Sequence, residues 1–168
     1  MKTKDAKEKI CTWNEARQRV QARQAGGGRV VFTNGCFDLL HVGHLRYLAQ
    51  ARAWGDFLII GLNSDRSVET IKGPPRPIIP QDQRTEILAG LTLVDAVVIF
   101  DQPDPLELIT FLQPDLLVKG GDWSVEKIIG REVVEARGGR ALTVPLTPGI
   151  STTAILERIR TGKPIKNG

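Results

Sequence analysis

The 168-residue chain is poor in cysteine and aromatic residues, and it has no long apolar run. Its two cysteines, Cys11 and Cys36, are too few for a disulfide framework, which favours a reducing compartment. Residues 1–9 are charged and lead into no apolar segment, so they do not read as a secretory signal. No apolar stretch approaches the roughly 18 residues of a membrane-spanning helix. We therefore expect a cytoplasmic protein without a membrane partner.

The charge balance is basic, but the charges are spread along the chain. Lys and Arg number 23 against 19 Asp and Glu, which gives a net charge of +4 without a polybasic block. Aromatic residues make up only 5% of the chain, so there are few platforms for stacking nucleic-acid bases. These values favour a small anionic substrate as the partner and argue against nucleic acid.

Short apolar segments alternate with stretches of helical spacing along most of the chain. Residues 57–62, for example, form a continuous apolar run between turn residues, which is typical of a strand buried on both faces. This alternation predicts a Rossmann-like α/β fold, an open parallel five-stranded sheet with helices on both faces. The five predicted strands are residues 30–32, 57–62, 96–100, 116–118 and 141–144.

Helices are also predicted at both ends of the chain. Thr12 is followed three residues later by Glu15, which is the spacing of a capping box, and helix-forming residues continue to the glycines at 26–28. Near the other end, residues 150–153 precede a last predicted helix that runs to about residue 160, so the cap of that helix lies among them.

Two histidines stand at the carboxyl end of the first predicted strand. His41 and His44 follow a glycine turn and an acid, and a helix is expected to begin just after Gly43. Open α/β sheets bind ligands at this position, and the first N–H groups of a helix attract phosphate. We predict that both histidines donate hydrogen bonds to a phosphoryl group during in-line displacement. Two purely structural histidines are the weaker interpretation.

Residues 35–44 resemble the His-x-Gly-His signature of the cytidylyltransferase-like nucleotidyltransferases. Residues 150–153 resemble the second, Ser-Thr-rich signature of that superfamily, and the two occur in the expected order. A wider resemblance, from residue 28 to about residue 159, is to the heptose 1-phosphate adenylyltransferases, which make ADP-heptose for lipopolysaccharide. The segments that carry it are residues 32–38, 61–65, 72–78 and 118–123.

This resemblance implies transfer of AMP from ATP to D-glycero-D-manno-heptose 1-phosphate, with release of pyrophosphate. Mg²⁺ is expected to accompany the ATP, with no metal ligand assigned to the protein. The implied organisation is a leader helix with a glycine linker (1–27), a nucleotidyltransferase domain (28–161) and a tail (162–168). Family members often join this domain to a sugar kinase, so a free-standing form is expected, or else an excised half.

The resemblance and the residue chemistry together define the predicted site. Lys72 and Arg76 lie on a proline-stiffened loop that can clamp a sugar phosphate with little loss of entropy, the alternative being an exposed surface loop. The predicted catalytic residues are His41, His44 and Lys72. The predicted substrate-binding residues are Asp38, Lys72, Arg76 and Arg84. The predicted nucleotide-binding residues are Thr33, Asn34, Gly35, Phe37, Gly43, Lys119, Gly120, Asp122, Ser151, Thr152 and Thr153.

Some of these residues have alternative interpretations. Asp38 is expected to orient a histidine or the turn and not to act as a general base, because a phosphate monoester is largely dianionic at neutral pH. Arg84 is expected to reach the β- and γ-phosphates or, alternatively, to be an exposed helix charge. Trp123 borders the nucleotide or belongs to the core. Cys36 is not expected to be a nucleophile, because its neighbours supply no base.

The choice of nucleotide base is predicted from one difference between this sequence and a related family. Glycerol-phosphate cytidylyltransferases also resemble this chain, but they carry an Arg-Thr pair where this sequence has Leu146 and Thr147. That departure favours the adenylyl branch. The alternatives are a cytidylyl- or guanylyltransferase on another sugar or polyol phosphate, and a non-catalytic nucleotide-binding regulatory protein. The sequence leaves the oligomeric state open, including a homodimer.

Overall fold

Five apolar segments pair side by side in the computed structural model, which describes residues 5–121 and 124–162. All four pairings are parallel, and the strand order is β3-β2-β1-β4-β5. The predicted strands and the Rossmann-like fold are therefore confirmed. The strands are β1 (Val30–Gly35), β2 (Phe57–Asn63), β3 (Ala96–Phe100), β4 (Leu116–Gly120) and β5 (Arg140–Val144).

Helices connect the strands and also precede and follow the sheet. The first helix after β1 begins at Val42, two residues earlier than expected, because the N-cap is His41 and not Gly43. The helices are α1 (Ala6–Lys9), α2 (Trp13–Ala25), α3 (Val42–Ala53), α4 (Asp65–Lys72), α5 (Gln81–Gly90), α6 (Leu106–Leu112), α7 (Arg131–Glu135) and α8 (Thr152–Thr161), with a short 3₁₀ helix at Val125–Lys127.

The core lies on both faces of the sheet. Alternate residues of a strand point to opposite faces, and Val30 and Phe32 accordingly pack in one apolar cluster while Val31 packs in the other. The first cluster includes residues of α2, α6 and α7, and the second includes residues of α3 and α5. Helices thus cover both faces, which accounts for the apolar residues at 30–32, 57–60 and 116–118 in the central strands.

The amino-terminal helix α2 packs against the same core. The predicted capping box is present, since the Thr12 hydroxyl accepts from the Glu15 N–H and the Glu15 carboxylate accepts from the Thr12 N–H. Ala16 and Val20 are fully buried, and the Cys11 N–H donates to the carbonyl of Val97 in β3. In the part of the chain that the structure describes, no helix has the length and apolarity needed to cross a membrane.

The strand order indicates where the sheet binds ligands. β1 lies between β2 and β4, so the connections from β1 and β4 leave to opposite faces and a crevice opens at their carboxyl ends. The loops after β1, β2, β3 and β4 all reach this edge, and most of the predicted site residues lie on them.

Candidate active site

A cleft of about 600 Å³ opens at the carboxyl ends of the strands. It brings together side chains from segments more than 100 residues apart in the sequence, including both histidines and three predicted cations. Predicted residues that line it are Asn34, Gly35, Phe37, Asp38, His41, Gly43, His44, Lys72, Arg76, Lys119, Gly120, Ser151, Thr152 and Thr153. Asp122 and Trp123 lie outside the described residues.

His41 and His44 form a reciprocal cap at the start of α3. The His44 N–H donates to Nδ1 of His41, and the His41 N–H donates to Nδ1 of His44, each at 3.4 Å. The two rings stack with centroids 3.8 Å apart. Gly43 makes room for this arrangement, since a Cβ there would lie 3.0 Å from the His41 ring. Because each Nδ1 is an acceptor, a neutral ring carries its proton on Nε2.

The surroundings of the two histidines lower their pKa values and so favour the neutral form. Burial lowers the pKa of His44 to about 4, with the neighbouring His41 adding to the effect. Burial also lowers the pKa of His41. Both rings are therefore neutral near pH 7, and each offers one Nε2–H donor to a ligand in the cleft. Phe37 packs at 5.3 Å from the His44 ring and helps to exclude water from it.

Cations line the cleft around these histidines. Lys119 donates from Nζ to Oδ1 of Asn34 at 3.3 Å, and burial lowers the pKa of its ammonium group, with the charge of Lys72 acting in the same direction. No carboxylate pairs with Lys119 within residues 5–121 and 124–162. A half-buried cation without a carboxylate partner is well suited to a phosphate.

Asp38 is a structural residue of the turn after β1, and its carboxylate points to the loop at residues 73–79. Its side chain is fully buried and accepts from Nε of Arg76 at 2.6 Å and from the N–H groups of Ile78 and Ile79 at 2.9 and 3.0 Å. Burial alone would raise the pKa of Asp38, but these donors together lower it below the ordinary value. Asp38 therefore holds Arg76 and its loop, and it does not contact either imidazole.

The turn itself is held in a conformation that few side chains adopt. Phe37 and Leu39 have left-handed φ angles of 46° and 52°, an arrangement that costs about 1–3 kcal/mol per residue. The hydroxyl of Thr152 donates to the carbonyl of Asp38 at 2.7 Å, so α8 is tied to this turn. Backbone strain of this kind persists where neighbouring contacts fix it, as the contacts of Asp38 do here.

Arg84 does not line the cleft, which corrects the expectation that it reaches phosphate. It is 1% exposed and all its nitrogens are engaged. The guanidinium donates to the carbonyls of Ile79, Cys36 and Asn63 at 2.8, 2.5 and 3.0 Å and to the carboxylate of Asp65 at 2.7 Å. Arg84 is a buried cation that joins the ends of β1 and β2 to the loop before α5.

Thr33 does not line the cleft either. It is fully buried in the middle of β1, with β2 and β4 on either side, so its backbone groups belong to the sheet. Its hydroxyl is hydrogen-bonded to the hydroxyl of Tyr47, which donates to the carbonyl of Val118 at 3.0 Å. The prediction that Thr33 contacts the triphosphate is wrong because the strand continues two residues beyond it.

The three hydroxyl residues before and within α8 have separate positions. Ser151 is the N-cap and accepts from the Ala154 N–H at 3.1 Å. Thr152 bonds to the carbonyl of Asp38 as described, and Thr153 is exposed at the cleft. Two of the three thus have structural partners, and all three line the same cleft as the histidines.

Cys36 also lines the cleft, but its surroundings do not activate it. Burial raises the pKa of the thiol, while the nearby charges of Lys72 and Arg84 partly oppose the effect. The thiol therefore stays protonated near neutral pH, which supports the prediction that it is not a nucleophile.

Several cleft residues were not predicted from the sequence. Most lie at the end of β2, after β3, at residues 127–129 and after β5, and only their position at or after a strand end pointed to the ligand edge of the sheet. Ile71 lies in the last turn of α4. Tyr47 lies one turn beyond His44, so helical spacing also placed it near the motif. The unpredicted residues include Tyr47, Asn63, Ile71, Asp104, Lys127, Ile129, Leu146 and Thr147.

A second concavity, of about 730 Å³, lies against α2 and the start of β2. It is an open groove lined by Arg19, Arg23, Asp56 and Phe57, among others, at the amino ends of the strands. Neither histidine nor any predicted phosphate-binding residue reaches it. The chemistry of the chain is therefore concentrated in the first cleft.

A Rossmann-like sheet with a cationic cleft at its switch point, and two neutral histidines at the first helix after β1, define a nucleotidyltransferase. The chain belongs to the cytidylyltransferase-like family, whose sequence profile matches residues 32–158. The superfamily and the enzyme class predicted from the two motifs are thereby confirmed.

The chain is also similar to full-length bacterial proteins. It is 57% identical over 143 residues to the bifunctional protein HldE of Geotalea uraniireducens, covering 85% of this chain and 29% of that protein. It is 55% identical over 140 residues to the bifunctional protein HldE of Geobacter sulfurreducens, covering 83% of this chain and 29% of that protein. The chain thus spans less than a third of these relatives.

A solved structure supports the fold. The crystal structure of the lipopolysaccharide core biosynthesis protein from Thermoplasma volcanium superposes with a TM-score of 0.59. The alignment covers 71% of this chain and 97% of that protein, at 22% sequence identity. Likeness at this level of identity shows a shared fold, in agreement with the strand order found here.

Proposed function

We propose that this chain transfers AMP from ATP to D-glycero-D-manno-heptose 1-phosphate, for lipopolysaccharide-core or surface-glycan biosynthesis in the cytoplasm. An oxygen of the sugar phosphate attacks the α-phosphorus of ATP. The bond from that phosphorus to the oxygen bridging to the β-phosphorus breaks, and pyrophosphate leaves with the electron pair. The products are ADP-heptose and pyrophosphate. No general base is needed, because the acceptor phosphate is largely dianionic near neutral pH.

One observation carries the proposal: two neutral, stacked imidazoles and several cations converge on one cleft at the switch point of the sheet. Donor and acceptor are both polyanions, so the cleft has to offset their mutual repulsion before they can meet. Lys72, Arg76 and Lys119 supply positive charge for this. The identity with the HldE proteins, together with the four resembling segments, supports heptose 1-phosphate as the acceptor.

The histidines act where charge develops during the reaction. Negative charge moves from the attacking oxygen to the leaving pyrophosphate, and the Nε2–H donors of His41 and His44 stabilise that shift. Neutral rings suit this role, since their protons stay in place over a wide pH range. The first turn of α3 contributes its own N–H groups to the same anion.

The rest of the cleft divides between donor and acceptor. Asn34, Lys119 and Gly120 stand at the ends of β1 and β4, and with the start of α8 they hold the nucleotide. Lys72 and Arg76 hold the phosphate of the sugar. Arg76 is oriented by its buried bond to Asp38, so its guanidinium is placed before the substrate arrives, which reduces the loss of entropy on binding.

Mg²⁺ enters this proposal as part of the MgATP substrate. Among residues 5–121 and 124–162 there is no group of three or more His, Cys, Asp or Glu side chains that could hold a metal ion. Asp38, which lines the cleft, has both carboxylate oxygens engaged. The described residues therefore do not form a metal site of their own, and the ion would offset part of the triphosphate charge.

The test is a coupled assay of pyrophosphate release with heptose 1-phosphate and Mg²⁺, using ATP, CTP and GTP in parallel. We expect release with ATP, and ADP-heptose as the product by mass spectrometry. A His41→Asn, His44→Asn double variant serves as the inactive control. Turnover with CTP or GTP but not ATP would refute the adenylyl assignment. Absence of release with every nucleotide would refute heptose 1-phosphate as the acceptor, and absence with other sugar and polyol phosphates as well would indicate a non-catalytic nucleotide-binding protein.

A further inference from the structure

Two carboxylates line the described part of the cleft, Asp38 and Asp104. The carboxylate of Asp38 is buried and fully bonded, so it presents no charge to a ligand. Asp104 is half-exposed, and only Oδ1 has a partner among the described residues, the N–H of Leu106 at 2.9 Å. Its second oxygen is available for a ligand in the cleft.

The loop that carries Asp104 is fixed beside α4. The amide of Asn63 donates to the hydroxyl of Ser67 at 2.9 Å, and that hydroxyl donates to the carbonyl of Gln102 at 2.8 Å. This chain of bonds starts at the end of β2 and ends in the loop after β3. Asp104 is therefore held by the element that ends in Lys72, on the acceptor side of the cleft.

The nucleotide side lies further along the sheet. Gly120 ends β4, which is separated from β3 by β2 and β1. Neighbouring strands are about 4.8 Å apart, so the end of β3 and the end of β4, three strands along, are about 14 Å apart. A residue in that loop is thus better placed for the sugar than for the base.

The negative charge of Asp104 limits which part of the ligands its carboxylate can contact. A carboxylate is an acceptor only and repels phosphate, so in a cleft built for two phosphorylated ligands it fits an uncharged, hydroxyl-bearing part. A heptose offers several hydroxyl donors beyond its phosphate. We propose that Asp104 accepts hydrogen bonds from hydroxyl groups of the acceptor sugar and contributes to the choice of acceptor. This rests on the proposed function.

Asp104→Asn tests the inference, because the Asn side chain still accepts the Leu106 N–H but no longer offers a charged acceptor. We expect the KM for heptose 1-phosphate to rise about tenfold as charge-assisted bonds become neutral ones. The KM for ATP, the Mg²⁺ requirement and the Tm should stay at parental values. Asp101→Asn is the matched control, since Asp101 lies in the same loop but pairs on the surface with Arg66.

An unchanged KM for the sugar phosphate in Asp104→Asn would overturn the inference. So would a rise confined to the KM for ATP, which would place the carboxylate on the ribose, or an increased Mg²⁺ requirement, which would make it a metal ligand. Calorimetric binding of heptose 1-phosphate to the parent and the variant separates this inference from the proposed function. A parent that binds the sugar phosphate but releases no pyrophosphate refutes only the transfer reaction, and weaker binding by the variant still supports Asp104.

Discussion

His41 and His44 each serve the backbone and the ligand at the same time. Nδ1 of each ring accepts an N–H at the start of α3, and Nε2 remains for phosphate. The two roles explain why the rings are stacked and neutral. They also mean that a histidine-to-alanine variant loses the helix cap and the phosphate donor together, so its effect cannot be assigned to either one. A substitution that keeps the cap separates them.

His41→Asn is that substitution, because Asn is among the best N-cap residues. We expect kcat for pyrophosphate release to fall at least about a hundredfold, equivalent to about 2.7 kcal/mol of transition-state stabilisation. The free energy of unfolding, measured with urea, should change by less than about 0.5 kcal/mol. His41→Ala should lose about 1 kcal/mol of stability in addition. A kcat in His41→Asn equal to that of the parent would show that the imidazole has no catalytic role.

The low pKa of His44 predicts how stability depends on pH. The ordinary value is 6.5 and the folded value is about 4, so the unfolded chain binds more protons between these values. This contribution to stability is present above pH 6.5 and is lost as the pH falls towards 4. His44→Asn should therefore show a smaller loss of unfolding free energy between pH 6.5 and 4.5 than the parent. Identical slopes would contradict a neutral His44.

At the scale of elements, the loop between α4 and α5 is fixed from both ends by buried charges. Asp38 holds Arg76 and the N–H groups just after it, while Arg84 holds the carbonyl of Ile79 together with the ends of β1 and β2. Arg76, one half of the proposed phosphate clamp, is therefore part of the framework of the sheet edge and not of a free surface loop. Lys72, predicted on the same loop, is instead the exposed last residue of α4.

Arg84→Lys tests this framework. A lysine cannot reproduce the planar fork of four bonds, so buried carbonyls are left without donors, and we expect a loss of about 3 kcal/mol in unfolding free energy. The control is Arg66→Lys, an exposed arginine in a surface pair, which should change stability by less than about 0.5 kcal/mol. Unchanged stability in Arg84→Lys, with a raised KM for ATP, would instead return Arg84 to the phosphate-binding role.

At the scale of the whole molecule, sequence patterns predict the local elements better than the distances between them. Strand β2 was predictable because its first six residues, 57–62, are buried and apolar or small. The histidines were predictable because a strand, a turn and a helix start are adjacent in the chain. The burial of Thr33 and Arg84 was not predictable from the sequence. A polar side chain is buried only where it has hydrogen-bond partners, and here those partners, such as Tyr47 and Asn63, lie far away in the sequence.

The same limit applies to the cleft. Asp104 reaches it from the connection between β3 and β4, and Lys127 from the connection between β4 and β5, and no local pattern marks either approach. Conversely, the strand order β3-β2-β1-β4-β5 explains why residues near 34, 72, 104, 119 and 151 share one site. The reaction therefore depends on the assembled sheet edge, and ligands should stabilise the domain as a unit.

Nucleotide binding should be visible as a shift in the Tm of the whole domain. A nucleotide at 100 times its Kd adds about 2.7 kcal/mol, which corresponds to about 5–10 °C for a chain of this size. With Mg²⁺ present, we expect the largest shift with ATP and smaller shifts with CTP, GTP and UTP. Lys119→Met, which removes the half-buried ammonium beside Asn34, should reduce the shift with ATP, while Arg66→Lys should not. A larger shift with CTP than with ATP would contradict the adenylyl assignment, and equal shifts with all four would mean that the cleft recognises only the triphosphate.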